Sequence, residues 1–245
     1  MLVPLQKKFV RPLSVFCRAL HSQYLITRES NGTREITLNH EKTKNSLSLD
    51  MMKYLIEAIH SNQDDKSLRT IVLSATGNVF SAGHNLKELV NGFATAAGCQ
   101  LVATCDMIVC SGTSKFSTPG ANFGIFCSTP GIAVGRCVPK SRATYMLFTG
   151  EPITAQEAYE SGLVTKVVPA SELDNEVNKI IEKIKQKSRS VIALGKEFYY
   201  KQIDLSLLEA YKLGEDIMVK NINSNDGQEG IKSFVEKRKA IWSHE

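Results

Sequence analysis

Acidic residues are missing from the start of this chain. None of its 25 aspartates and glutamates precedes Glu29, whereas Lys7, Lys8, Arg11, Arg18 and Arg28 all do. Long apolar runs are missing too: no stretch approaches the roughly 20 consecutive apolar residues of a membrane-spanning helix, so no integral span is expected. Glycine (16) and proline (7) are few among 245 residues, which excludes a collagen-like or broadly disordered chain. The six cysteines form no close CxxC pair and the five histidines are scattered, so no metal site is expected. A chain of this length needs no disulfide staples, and reduced core cysteines are the expectation. The net charge of +5 equals the five basic residues of the first 28, which leaves a neutral body with no electrostatic case for binding nucleic acid.

What is present suits one substantial globular domain with a core, 42% of the residues being apolar. Residues 1–22 interrupt short apolar groups with basic residues, the pattern of a mitochondrial presequence cleaved near residues 18–24. The ordered body is expected from Tyr24, with a hairpin around Asn31-Gly32 that aims Ile36 and Leu38 at one face. Ser48 is placed to cap a helix carrying Leu49, Met52, Leu55, Ile56 and Ile59. Residues 70–75 read as an apolar strand, and the alternation of strands and helix predicts a layered α/β protein. Further on, the spacing predicts a helix through 100–103, a strand at 107–110, a loop region over 119–131 and a helix over 141–148. Thr154 and Glu157 form a capping box, Gly162 closes that helix, and a strand follows at 164–168. Leu173, Val177, Ile180, Ile181 and Ile184 make a helical stripe, and two helical stretches over 191–222 and 226–240 complete the chain.

Two segments carry the chemistry. Phe80-Ser-Ala-Gly-His-Asn-Leu86 follows an apolar strand, and Asn91-Gly-Phe-Ala-Thr-Ala-Ala-Gly-Cys-Gln100 opens a helix. Small residues let the backbone turn tightly and bare its N–H groups, which stabilise negative oxygen charge near a helix N-terminus. A generic strand-turn-helix shares this composition, so the oxyanion reading is not unique on composition alone.

With Asn45-Ser-Leu47, Val90-Asn-Gly92, Gly98-Cys-Gln-Leu101, Cys105-Asp106, Phe148-Thr-Gly150, Ala155-Gln-Glu-Ala158, Gly162-Leu-Val164 and Glu236-Lys-Arg-Lys239, these segments resemble the crotonase (enoyl-CoA hydratase/isomerase) family, in the family's order across residues 24–244. The resemblance implies a crotonase-like α/β spiral of β-β-α units over 23–190, followed by a helical oligomerisation region over 191–245. It implies an acyl-CoA thioester as ligand, no tightly bound cofactor, and a homo-trimer or hexamer if the core is intact. The carbonyl-polarising donors fall on the backbone N–H groups of His84 and Ala97. Lys42 and Lys44 fall where CoA phosphates or adenine are contacted, and Phe234 and Lys237 match a segment that approaches CoA across subunits.

The same resemblance exposes two departures. Hydratases of the family move protons with two glutamates, and their positions fall here on Gln100, which can contact water but exchange no proton, and on Gly120, which has no side chain. Asp106 is expected to support the fold, Glu88 and Glu151 are candidates for a relocated base, and Ser117, Thr118 and Asn122 for orienting substrate or water. Between the two oxyanion motifs the family also carries about 30 more residues, enough for a helix and an inner strand. Here the junction near 89–90 is abrupt, as in a shortened splice product or a faulty gene model. An incomplete core, with lowered stability or altered assembly, is the consequence. Three functions stay open: an acyl-CoA-binding protein with absent or severely weakened hydratase activity, an isomerase or thioester hydrolase with relocated acid/base groups, and a non-catalytic assembly or regulatory isoform.

Overall fold

The computed structural model describes residues 20–21, 23–83 and 93–245. Most of the expected presequence, together with His84 and Glu88, therefore lies outside the described residues. A two-residue strand β1 (Leu20–His21) falls inside the expected presequence and pairs with β2.

β2 (Leu25–Ser30) and β3 (Thr33–Leu38) form the expected hairpin. Its turn residues, Asn31 (φ 48°) and Gly32 (φ 73°), are both left-handed, as a two-residue primed turn requires. A Cβ on Gly32 would lie 2.5 Å from the Ser67 carbonyl, so the turn also needs the missing side chain. α1 (Leu49–His60) is capped by Ser48, whose hydroxyl accepts from Met51 N–H. Buried Arg34 in β3 ties sheet to helix: its Nη1 donates to the carbonyls of Ala58, Ile59 and Ser61 at the end of α1, and its Nε to Glu29. Ile36 and Leu38 are fully buried, as their alternation implies. Of the predicted face of α1, Leu55 is buried and Met52 and Ile59 pack against the core, but Leu49 and Ile56 are exposed and Met51, outside that stripe, is fully buried. β4 (Thr70–Ala75) returns parallel to β3 and completes a sheet in the order β1-β2-β3-β4.

β5 (Phe93–Thr95) leads into α2 (Ala97–Ala103), then β6 (Val109–Ser111) and β7 (Lys115–Ser117). A 3-10 turn (Pro119–Phe123) precedes α3 (Ser128–Cys137) and α4 (Lys140–Thr149). The loop expected through 131 is corrected by α3. Pro130 sits in its first turn, where a missing N–H costs nothing, and Gly131 lies against Leu147 at the crossing with α4. β8 (Ile153–Thr154) and α5 (Ala155–Glu160) carry the full capping box, and Gly162 (φ 84°) ends the turn before β9 (Lys166–Val168). β5-β7-β8 form one small sheet and β6-β9 another. Among the described residues two apolar clusters form the core, one under β2, β3 and α1, the other around α2, α3 and α4. α2 contributes Ala97 and Leu101 to the first and Cys99, Val102 and Ala103 to the second.

The five described cysteines are free thiols; Cys99, Cys110 and Cys127 are buried and Cys105 is half-buried. Cys137 corrects the expectation of a core position: it is exposed at the end of α3. Burial, with the neighbouring Cys127 and Cys137 thiols, pushes the Cys99 thiol up to about 12.

α6 (Leu173–Lys185) follows the predicted stripe, yet only Ile181 of it is fully buried. The stretch expected as one over 191–222 is two helices, α7 (Arg189–Gln202) and α8 (Leu207–Ile222), because Ser206 and Glu209 form a second capping box that restarts the helix. α9 (Asn225–Val235) packs on both. No helix among the described residues is long and apolar enough to cross a membrane.

Candidate active site

The loop before His84 and the start of α2 are pressed backbone to backbone. Ser81 and Ala94 form a parallel bridge, and Thr95 N–H donates to the Ser81 carbonyl at 3.2 Å. Thr95 Oγ1 donates to the Ala82 carbonyl at 3.2 Å. Gly83 (φ 84°) is forced by this approach: a Cβ there would lie 2.9 Å from the Thr95 carbonyl and 3.3 Å from Ala97 N. Gly98 is forced likewise, with the Ser81 carbonyl 2.5 Å from its missing Cβ. Gly83 thus abuts Ala97, expected as the second donor, while His84 itself lies outside the described residues.

Ala97 is the first residue of α2, so its N–H has no acceptor within the helix and carries the positive end of the helix dipole. The preceding Ala96 is strained. Its φ of 47° and ψ of −115° belong to a region that glycine enters freely and alanine does not. Its N–H donates to the Ser117 carbonyl at 2.9 Å, which locks the strain in place. Such a residue costs about 1–3 kcal/mol. Ala96→Gly is therefore expected to stabilise the protein by about 1 kcal/mol, a rise in Tm of about 2–4 °C; thermal unfolding checks it, and an unchanged or lower Tm contradicts it.

Lys42 (exposed) and Lys44 (half-buried) stand on a loop fixed to the same place. Ala82 N–H donates to the Lys44 carbonyl at 3.0 Å and Leu47 N–H to the Gly83 carbonyl at 2.8 Å. Asn45, fully buried, holds this loop, a role its place in Asn45-Ser-Leu47 did not reveal. Its Oδ1 accepts from His40 N–H, and its Nδ2 donates to the carbonyls of Thr76 and Val79. The structure therefore gathers Lys42, Lys44, Gly83 and Ala97. It does not bring Phe234 and Lys237 to them within one chain: they lie at and beyond the end of α9, whose neighbours are α7 and α8, with Phe234 85% exposed.

The two positions expected to match the family's carboxylates, 100 and 120, differ in kind. Gln100 lies one turn into α2, half-buried, and its carboxamide has no hydrogen-bond partner among the described residues. Gly120 is crowded rather than empty. A Cβ there would lie 2.1 Å from the Ile125 carbonyl and 2.7 Å from Cys127 Sγ, and Gly120 N–H donates to that sulfur at 3.3 Å. No side chain fits this backbone at residue 120.

The remaining candidates separate as well. Thr118 is fully buried and its hydroxyl has no hydrogen-bond partner among the described residues, one residue beyond the Ser117 carbonyl that holds Ala96. Such an orphaned hydroxyl suits a group that meets a ligand. Asn122 is spent on packing against Gly150, and Glu151 beside it is exposed. Asp106 accepts from Lys196 Nζ at 2.6 Å and Tyr200 Oη at 2.7 Å, tying the turn after α2 to α7, the structural role expected for it. That bond to Asp106 is the first reason the Tyr200 phenol is pushed up to about 12.

The signature of the enoyl-CoA hydratase/isomerase family matches residues 28–91 and 88–245. The chain belongs to that family. Mitochondrial enoyl-CoA hydratase domain-containing protein 3 of Xenopus laevis is 47% identical over 272 aligned positions, covering 98% of this chain and 92% of the relative. The human protein of the same name is also 47% identical, over 89% of this chain and 83% of its own length. Its crystal structure superposes with a TM-score of 0.86 at 45% identity, over 89% of this chain and all of the other. An enoyl-CoA hydratase from Mycobacterium smegmatis gives 0.85 at 36% identity, over 89% and 98%. The crotonase fold is thereby shown. The family match comes in two pieces that meet at residues 88–91. Since 98% of 245 residues is about 240, about 32 of the 272 positions aligned with the Xenopus protein have no counterpart in this crotonase-family chain.

Proposed function

We propose that this is an acyl-CoA-binding crotonase-like protein of mitochondrial fatty-acid metabolism whose hydratase activity is absent or severely weakened. The crowding at Gly120 carries the reading. A hydratase must deprotonate water and protonate the alkene, and the second glutamate position is filled by the Ile125 carbonyl and Cys127 sulfur. At the first, Gln100 accepts and donates hydrogen bonds but transfers no proton. What remains is carbonyl polarisation by the N–H of Ala97, paired with that of His84, at a site with Lys42 and Lys44 available to CoA phosphates. The orphaned Thr118 hydroxyl supports a substrate contact beside these donors.

Mitochondrial localisation follows from the relatives, named as mitochondrial proteins, and the acid-free basic N-terminus supports import to the matrix. Exposed Leu207, Leu208, Tyr211 and Phe234 on α8 and α9 support packing against further copies through the C-terminal helices.

Isothermal titration with a saturated acyl-CoA tests the binding half. Saturable binding that weakens at least about tenfold in the Lys42→Ala/Lys44→Ala double variant is expected, about 1.4 kcal/mol for two charge-assisted contacts. Absence of binding at millimolar ligand contradicts it.

A further inference from the structure

The loop that carries Lys42 and Lys44 is built around one buried side chain. Lys44 (φ 54°, ψ 43°) and Asn45 (φ 53°) are consecutive left-handed residues, a conformation uncommon outside glycine, and together they reverse the chain. Such a pair persists only where the surrounding structure over-determines it. Asn45 supplies that constraint. It is fully buried and its carboxamide is bonded in three directions: Oδ1 accepts from His40 N–H at 2.8 Å, and Nδ2 donates to the Thr76 carbonyl at 3.0 Å and the Val79 carbonyl at 2.8 Å. The first bond closes the loop on itself. The other two fasten it to the segment that leads from β4 to Ser81.

The turn beside Ala97 has anchors of its own. Ser81 is bridged to Ala94, Thr95 N–H donates to the Ser81 carbonyl and Thr95 Oγ1 to the Ala82 carbonyl, so residues 81 and 82 are held on β5 by bonds that do not involve Asn45. The lysine loop meets this turn through two further bonds, from Ala82 N–H to the Lys44 carbonyl and from Leu47 N–H to the Gly83 carbonyl. The dependence runs one way. The turn is tied to β5 in any case, whereas the Lys44 carbonyl faces Ala82 only while Lys44 and Asn45 keep their left-handed turn.

We infer, resting on the acyl-CoA reading above, that Asn45 is a positioning residue for that ligand: it holds the Lys42 and Lys44 ammonium groups at a fixed reach from the thioester, so that one molecule is gripped at its phosphates and its carbonyl together. A lysine is a point charge on a flexible stem, and its grip on a phosphate depends on the backbone beneath it. A loop that is loose before binding must be ordered by the ligand, and that ordering is lost from the affinity. Fully buried, Asn45 acts through the two lysines and not on the ligand.

Isothermal titration of the full chain tests it with two ligands, a saturated acyl-CoA and the matching S-acyl-pantetheine, which keeps the thioester but has no phosphate. Asn45→Ala is expected to weaken acyl-CoA binding about tenfold and acyl-pantetheine binding less than about twofold. In the Lys42→Ala/Lys44→Ala background it should change acyl-CoA binding less than about twofold, because the groups it positions are gone. Ser46→Ala removes one hydroxyl bond, to the Thr43 carbonyl of the same loop, and should give the same pattern at about threefold; it decides the matter if Asn45→Ala does not stay folded. Equal weakening of both ligands, additive losses in the combined variant, or unchanged acyl-CoA affinity in the folded variants overturns the role of Asn45 and leaves acyl-CoA binding standing. No acyl-CoA binding by the wild-type protein overturns both.

Discussion

Hydration of crotonyl-CoA by the purified protein is expected to fall at least about 10⁴-fold below that of a two-glutamate relative, since each general acid or base contributes about 10²–10⁴. Disappearance of the enoyl-thioester absorbance measures it. Gln100→Glu alone should recover less than about tenfold, because one proton still has no carrier. Gly120→Glu should not recover activity either. Its Cβ would lie 2.1 Å from the Ile125 carbonyl, a backbone atom that cannot swing aside. Such overpacking costs about 3 kcal/mol or more, which calorimetry would read as a Tm lower by about 6–12 °C. A Gly120→Glu protein with wild-type Tm would show that the turn at 119–127 is not built as described.

The second large effect lies far from the thioester site. Asp226, 1% exposed, accepts hydrogen bonds from Ser188 Oγ (2.5 Å), Ser190 Oγ (3.3 Å), Ser243 N–H (2.7 Å), Ser243 Oγ (2.8 Å) and His244 N–H (3.0 Å). Ser188 is the N-cap of α7, so one carboxylate fixes a helix start and straps the C-terminal tail across it. Asp226→Ala leaves those donors unmet and is expected to cost about 3 kcal/mol. Asp226→Asn, with one acceptor oxygen for five donors, should recover less than half of that. Limited proteolysis of the tail separates this latch from a general loss of packing, because cleavage after Lys239 should rise in both variants. Burial alone would raise the Asp226 pKa, but the bonds from Ser188, Ser243 and His244 outweigh it and bring it down to about 2 from 3.8. A lowered carboxylate pKa stabilises the fold above the unfolded value. About 2 kcal/mol is therefore present above pH 4 and lost as pH falls from about 4 to about 2, a dependence that Asp226→Ala should abolish.

Much of the fold is legible in local sequence because its signals are short-range. Asn31-Gly32 dictates the hairpin turn, Ser48 and Thr154 the helix starts, and the 173–184 spacing the α6 stripe. Where prediction and structure part, a tertiary contact decides. Pro130 and Gly131 read as a loop, but they begin a helix because Gly131 lets α3 approach Leu147 of α4. Leu49 and Ile56 fit the helical period of α1 as Leu55 does, yet with Arg34 binding the end of that helix Met51 and Leu55 turn inward and those two stay exposed. At the site, sequence reveals that residue 120 lacks a carboxylate but not that its space is taken by Ile125 and Cys127. The buried Asn45 and the five-bond Asp226 were invisible for the same reason, their partners being set by the fold and not by spacing.

The proposal that acyl-CoA binds here without a base to transfer protons is tested most directly by one experiment. A saturated acyl-CoA bound to the protein in deuterium oxide is followed by mass spectrometry for exchange at the carbon beside the thioester carbonyl. The claim predicts saturable binding with exchange at the rate of free acyl-CoA, since no base sits at residue 100 or 120 to remove that proton. Protein-dependent exchange well above that rate would contradict it and require a base elsewhere, with Glu151 and Glu88 the first residues to substitute.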